Sequence, residues 1–226
     1  MTTRLSVGDR LDASPVYRAF REHPFFAGVE GAELTKEQAA ILIEQWWHPL
    51  HYFPTFLARC VGVLPDIAAK SAITRILNQE AGGGVVAKAH EVIYVDSMRK
   101  CGFDGERVTG TAPYPETAAL VEGYRRASEG PESALGFIFA TENTDLLMVS
   151  SIGRAVERTT GVTDNAWVAI HVQQEPDHVE EANHALLTGM SPEQEDAVLR
   201  AADQMWQLWI AFFDRLATET GVGVTH

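Results

Sequence analysis

The chain has 226 residues, 46% hydrophobic and 22% charged, which places it among ordinary globular proteins and excludes disordered and fibrous classes. Thirty-one acidic side chains against 18 Lys and Arg leave a formal charge of -13, which repels phosphate backbones and anionic lipid, so neither nucleic acid nor a membrane surface is expected as a partner. Cys60 and Cys101 are too few for a disulfide framework and lack the spacing of a thiolate metal site.

The opening MTTRLSVGDR has no apolar stretch after its arginine, and the longest uncharged apolar run, Ser133 to Thr141, is too short to span a bilayer. A cytoplasmic protein with free thiols is therefore expected. No repeat or long linker divides the chain, so one helical domain over residues 1–226 is expected. Between turn-rich breaks near 28–35, 102–115 and 189–192, apolar residues recur at three and four positions and strand alternation is absent. The pattern predicts an all-α bundle of seven to eight helices, with approximate spans 12–22, 36–62, 66–80, 85–101, 115–128, 132–159, 164–187 and 192–219.

The second span opens on the capping box Thr35-x-x-Gln38 and carries Pro49 and Pro54, which should kink it. Its Trp46, Trp47, His48, His51, Tyr52 and Phe56 would give a substrate pocket an apolar wall with a few polar handles, although aromatics at helical spacing also make ordinary core. Trp47, His51, Phe56 and, further on, Phe139 are the pocket candidates, with Arg59 or Arg154 as a clamp for a substrate carboxylate. The third span ends at Glu80, on the face of Ile73, Ile76 and Leu77. The fourth carries His90 with Val86, Ile93 and Tyr94, and taken alone that histidine reads as a satisfied core residue. One ideal helix would hold Glu80 and His90 about 80° apart. The intervening Gly82-Gly83-Gly84 can bend or unwind the backbone and aim both at one point.

In the sixth span Glu142 falls within a stripe of Leu135, Ile138, Phe139, Leu146 and Val149. A carboxylate buried there unpaired costs several kcal/mol, roughly, so it must be protonated, paired with a cation or bound to a metal. No Lys or Arg lies within a helical turn, which leaves an arginine from another helix as the competing partner. The seventh span places His171, Glu175 and His178 within about 60° of one another, on a stripe continued by Val168, Ala182 and Ala185. Two imidazoles and a carboxylate facing inward suit a metal, and a solvated acidic helix with incidental histidines would give the same triplet. The last span begins at Ser191-Pro192-x-Gln194, a second capping box with proline at the first helical position. Its Leu199, Ala202, Trp206, Trp209, Phe213 and Leu216 form one apolar stripe.

Inward carboxylates and imidazoles from several helices are how bundles build two-metal carboxylate sites. Three Glu and three His around two divalent ions leave a net charge of about +1 and open positions for water, dioxygen or substrate. The order Glu80, His90, Glu142, then His171-x-x-x-Glu175-x-x-His178 resembles the heme-oxygenase-like di-iron oxidases, and the match spans nearly the whole chain. HPFF at 23–26, YFP at 52–54 and NQEAGGG at 78–84 look like further landmarks of that family.

The resemblance implies a heme-oxygenase-like helical fold. Glu80 and His90 would hold one side of a di-iron cluster, Glu142 would bridge or cap it, and His171, Glu175 and His178 would complete it. It also implies two Fe2+ ions, with manganese allowed at one position, and dioxygen as co-substrate. The reaction would be oxidation of a small amino-acid- or fatty-acid-type metabolite by hydrogen abstraction, leading to desaturation or carbon-carbon cleavage. An external electron donor and a homodimer are the further partners it admits. Three other readings remain: an N-oxygenase of an amine, a metal-free TenA-type hydrolase with a cysteine nucleophile, and a non-catalytic iron-binding protein. Glu175 stands where the family more often has Asp, and Pro176 follows it inside the helix. N-oxygenating members carry an extra carboxylate on the helix before the first ligand, where this chain has Pro54 and its neighbours, and that favours carbon chemistry.

Overall fold

The computed structural model describes residues 6–186 and 190–223, apart from the side chain of Glu175. Among the described residues the chain forms eleven α-helices and no strand. In chain order they are α1 (Val7–Asp12), α2 (Pro15–Arg21), α3 (Pro24–Gly31), α4 (Lys36–Val63), α5 (Ile67–Glu80) and α6 (His90–Lys100). These are followed by α7 (Gly105–Gly110), α8 (Pro115–Ala127), α9 (Pro131–Thr160), α10 (Ala166–Ala185) and α11 (Pro192–Thr220). The all-α architecture is as expected. The long spans correspond to α4, α5, α6 and α8 to α11, and the first span to α2. The short helices α1, α3 and α7, of six to eight residues, are additional, because so few residues cannot display a period of 3.6. The end expected for α10, residue 187, and the first residue of the turn expected at 189–192 lie outside the described residues.

Local signals act as read. Thr35 and Ser191 each accept from the backbone N–H three residues on, and the Gln38 and Gln194 side chains return the bond to the cap. Pro49 and Pro54 sit inside α4, and Pro176 inside α10, without ending either helix. The fourth span starts later than expected, at His90. Gly82, Gly83 and Gly84 take φ of +77°, +60° and +84°, which stops α5 and hands the chain to two short 3-10 turns, Gly82–Gly84 and Val86–Lys88. Val86 consequently leaves the His90 face and is 77% exposed, contrary to the sequence reading. At Gly82 a Cβ would stand 2.5 Å from the Ala89 nitrogen, so the turn requires glycine there for space as well as for φ.

Helix α9 runs through the centre, against α3, α4, α8, α10 and α11. Two of its glycines permit close crossings: a Cβ on Gly136 would meet the Val198 carbonyl of α11 at 2.5 Å, and one on Gly153 would meet Val168 Cγ2 of α10 at 2.5 Å. The apolar stripe of α11 closes the core. Trp209 stacks on Trp46 of α4 at 5.4 Å, and Phe213 packs against Phe20, Phe25 and Phe26 of α2 and α3. Among the described residues no helix is long and apolar enough to cross a membrane.

Candidate metal centre

Glu80 is the last residue of α5 and His90 the first of α6, so the glycine turn brings two helix ends face to face. Glu142 comes from the middle of α9, and His171 and His178 from one face of α10. All five are at most 4% exposed. One ligand atom each from Glu80, His90 and His171 lie within 4.8 Å of one another. Glu80 Oε2 is 3.0 Å from His90 Nδ1, and its other oxygen is 3.8 Å from His178 Nδ1. His178 Nδ1 is in turn 3.2 Å from Glu142 Oε2. Glu80 is thus the carboxylate set between two imidazoles, and Glu142 caps the His178 side. Donors about 2.1 Å from a shared ion stand about 3 Å apart when neighbouring and about 4.2 Å apart when opposed, so the group has the spacing of a ligand set.

Second contacts fix which nitrogen each histidine presents. The His90 Nε2–H donates to the Gln174 amide oxygen at 3.0 Å, and the His171 Nδ1–H donates to the Trp167 carbonyl at 2.8 Å. Oxygens of those kinds can only accept, so in the neutral imidazoles His90 Nδ1 and His171 Nε2 carry the lone pairs and face the centre; burial opposes charge on His90 but Glu80 raises its pKa, so a metal must displace a proton from Nδ1 there. Among the buried atoms of these residues Glu142 Oε1 and His178 Nε2 lack a hydrogen-bond partner, and His90 Nδ1 has only the Glu80 carboxylate, at 3.0 Å. Orphaned polar atoms of ligand type at one buried point are what a metal would satisfy, and the residues present fit iron.

Electrostatics separate the roles. Burial raises the Glu80 carboxyl, but the imidazoles of His90, His171 and His178 outweigh it and hold it below the usual glutamate value. Burial pushes Glu142 up against the pull of His178. Burial also pushes His171 down to about 4, leaving it neutral and ready to ligate. His178 is opposed by burial and yet lifted to about 9 by Glu142, Glu80 and Asp145, so a metal must displace its proton. The arginine imagined as the partner of Glu142 occurs elsewhere, at Glu44, a buried α4 carboxylate 2.6 Å from Arg107 Nε.

Glu175 lies on α10, and its side chain is outside the described residues. Of the remaining candidates the structure brings Glu80, His90, Glu142, His171 and His178 together. It also adds Asp145, Gln174 and a cavity of about 30 Å³ lined by Trp46, Pro49, Leu50, Phe53, Tyr124 and Trp209, together with Glu80, Thr141, Glu142, Asp145 and His171. Asp145 stands one helical turn past Glu142, and the spacing rule applied to His171, Glu175 and His178 would have found it.

The pocket candidates Trp47, His51, Phe56 and Phe139 do not line this cavity. The face of α4 that turns inward is Trp46, Leu50 and Phe53, and Trp47 and His51 lie about 100° round the helix. His51 is exposed, stacked on Trp47 and bonded to Glu91. Phe56 and Phe139 are buried core, the former packed on Tyr124. Arg59 bonds Ser128, and Arg154 faces Glu30 across 3.9 Å.

With this geometry in place, comparison with known proteins gives a consistent picture. Residues 41–210 match the model of a family described as iron-containing redox enzymes. Over 162 residues the chain is 25% identical to the 4-chloro-allylglycine synthase of Streptantibioticus cattleyicolor, a stretch covering 70% of this chain and 61% of that longer relative. It is 24% identical over 211 residues to the 4-aminobenzoate synthase of Chlamydia muridarum, covering 91% of this chain and 88% of the relative.

Among solved structures, a CADD-like protein of unknown function from Nostoc punctiforme superposes with a TM-score of 0.78 at 16% identity, covering 95% of this chain and 96% of that one. A domain of unknown function with a heme oxygenase-like fold from Shewanella denitrificans gives 0.73 at 22% identity, covering 94% and 89%. A TenA homologue from Pseudomonas syringae gives 0.74 at 16% identity, covering 94% and 93%. These likenesses show a heme-oxygenase-like fold, as the sequence implied. Joined to the family match over most of the chain, they make the protein a member of the iron-containing redox enzymes.

Proposed function

We propose that this protein is a dioxygen-activating oxidase that holds two ferrous ions through Glu80, His90, Glu142, His171, Glu175 and His178 and oxidises a small metabolite. The carrying observation is the pair of buried imidazoles, each tethered by its outer nitrogen to Gln174 or Trp167, whose lone pairs converge on Glu80. Bound iron would supply the electrons for dioxygen reduction. Tethering fixes the direction of both donors, and Trp46, Leu50, Phe53 and Trp209 exclude water beside them. Tyr124, whose hydroxyl is 2.9 Å from Thr141 Oγ1, offers a polar handle in that cavity.

The chemistry proposed is hydrogen abstraction leading to desaturation or carbon-carbon cleavage. The α4 face over the cavity has no carboxylate, which supports carbon over nitrogen oxidation. One relative is named for an allylglycine, and this supports an amino-acid-type substrate over a fatty acid. An external electron donor would restore the ferrous state, manganese can replace one iron, and a homodimer is the assembly we propose. The TenA-type hydrolase has no support from the thiols: Cys60 and Cys101 are buried, burial pushes both up, and neither lines the cavity.

Protein loaded with ferrous iron under anaerobic conditions should consume dioxygen faster with one member of an amino-acid and fatty-acid panel. Iron retained without substrate-linked uptake would leave an iron-binding protein and end the oxidase reading. Glu142→Ala and His178→Ala should each lose about half or more of the bound iron while circular dichroism stays helical. Unchanged iron content removes those residues from the site.

A further inference from the structure

We propose that Gln174 is a positioning residue for the proposed oxidation, whose neutral amide aims the His90 imidazole across from α6 to α10 and, by withholding a full negative charge, keeps the potential of the bound iron high; this rests on the two-ion reading above. Gln174 stands three residues past His171 and four before His178, so the helix turns it to their inward face. His90 comes from another element and is 1% exposed, so its outer N–H has no water to meet. The Gln174 amide oxygen accepts it at 3.0 Å.

The two histidines are held in different ways. His171 is tied to the Trp167 carbonyl one turn earlier on its own helix, a bond that moves with α10 as a unit. His90 opens α6 without a side-chain cap, directly after two 3-10 turns and three positive-φ glycines, so little in its own element fixes the ring. Its tie to Gln174 reaches across to α10, and the His90 and His171 rings meet with centroids 4.7 Å apart. Gln174 therefore sets where His90 Nδ1 points relative to His171 Nε2. These two residues and Glu80 form the group with the spacing of one shared ion.

Charge makes the choice of an amide informative. The chain has 31 acidic side chains, yet the oxygen behind His90 belongs to a glutamine. A carboxylate in that place would draw the Nε2 proton towards itself and make Nδ1 a stronger donor. Stronger donation favours ferric over ferrous iron, because the ion of higher charge gains more from it. The amide gives the ring its direction with only part of that push, which favours the ferrous state needed to meet dioxygen.

The test compares wild type, Gln174→Leu, Gln174→Glu and the exposed control Gln173→Leu, each loaded with ferrous iron without dioxygen. Ferrous affinity, Mössbauer spectra and the ferric–ferrous potential are read alongside thermal melting of the metal-free proteins. Gln174→Leu should bind ferrous iron about tenfold or more weakly. Gln174→Glu should recover most of that affinity but lower the potential by about 59 mV or more, a tenfold gain for the ferric state. Its Mössbauer signal should change at one ion, and Gln173→Leu should match wild type in every measure. Gln174→Glu with wild-type potential and spectrum, or Gln174→Leu with wild-type affinity, overturns the proposal and leaves the two-ion reading standing. Wild type that binds no iron overturns both.

Discussion

Glu44 on α4 and Glu142 on α9 are both carboxylates withdrawn from water, at 4% and 2% exposure, but their counter-charges differ. Arg107 of α7 reaches Glu44 from the rim at 2.6 Å and offers another nitrogen to Glu37 at 3.0 Å. Glu142 meets His178 at 3.2 Å, and its second oxygen has no donor. The first acid is balanced by a cation half in water, an ordinary structural arrangement. The second is balanced by a histidine that we propose as a metal ligand. Burial of an acid thus points to function when the groups answering it are also short of partners.

The largest effect that would sharpen this contrast comes from replacing the Glu142–His178 pair with leucines. In the presence of chelator the double variant should gain about 1–4 kcal/mol in urea unfolding, because burying the pair costs more than its attraction returns. Bound iron should fall by half or more. A loss of metal-free stability would mean the pair is structural, like Glu44. At the other site Arg107→Ala should cost about 1–3 kcal/mol, since it strands Glu44, and the pair is discounted because Arg107 is half exposed. Iron content should not change, and if it fell the two acids would not be independent.

A smaller effect is pH dependence. His178 is held at about 9 in the metal-free protein. Below that value an incoming ion must expel its proton, so anaerobic ferrous affinity should rise about tenfold per pH unit from 7 towards 9 and flatten above. A flat profile between 7 and 9 would exclude His178 as a ligand. The smallest effect is at the turn before His90. Gly83→Ala, at φ +60° with open space around it, should cost about 1 kcal/mol of stability and leave iron bound, as read by melting and metal analysis. Substantial iron loss there would show that the backbone of the turn, more than its side-chain space, sets the Glu80–His90 approach.

What the sequence could disclose followed the range of the physics. The capping boxes at Thr35 and Ser191 depend on neighbours three residues away, and the shared face of His171 and His178 on a step of seven, two helical turns, so spacing sufficed. The glycine triplet announced a break between Glu80 and His90 but not its direction, which needs three successive positive φ values. Asp145 was hidden because hydropathy assigned its neighbour Leu146 to the interior, although the rest of that stripe, Leu135, Ile138, Phe139, Glu142 and Val149, is buried as read. On α4 a one-position rotation favoured Trp47 and His51 over Trp46 and Leu50. Nothing local joins Glu44 to Arg107, whose pairing depends on how α7 docks.

The two tight crossings of α9 bracket its acids, Gly136 before Glu142 and Gly153 after Asp145. Backbone pressed on backbone and on Val168 at those points leaves α9 no room to slide along its axis. The carboxylates it carries therefore form a fixed rail. If iron is bound as proposed, any adjustment to it would fall to the α5–α6 elbow and its three positive-φ glycines.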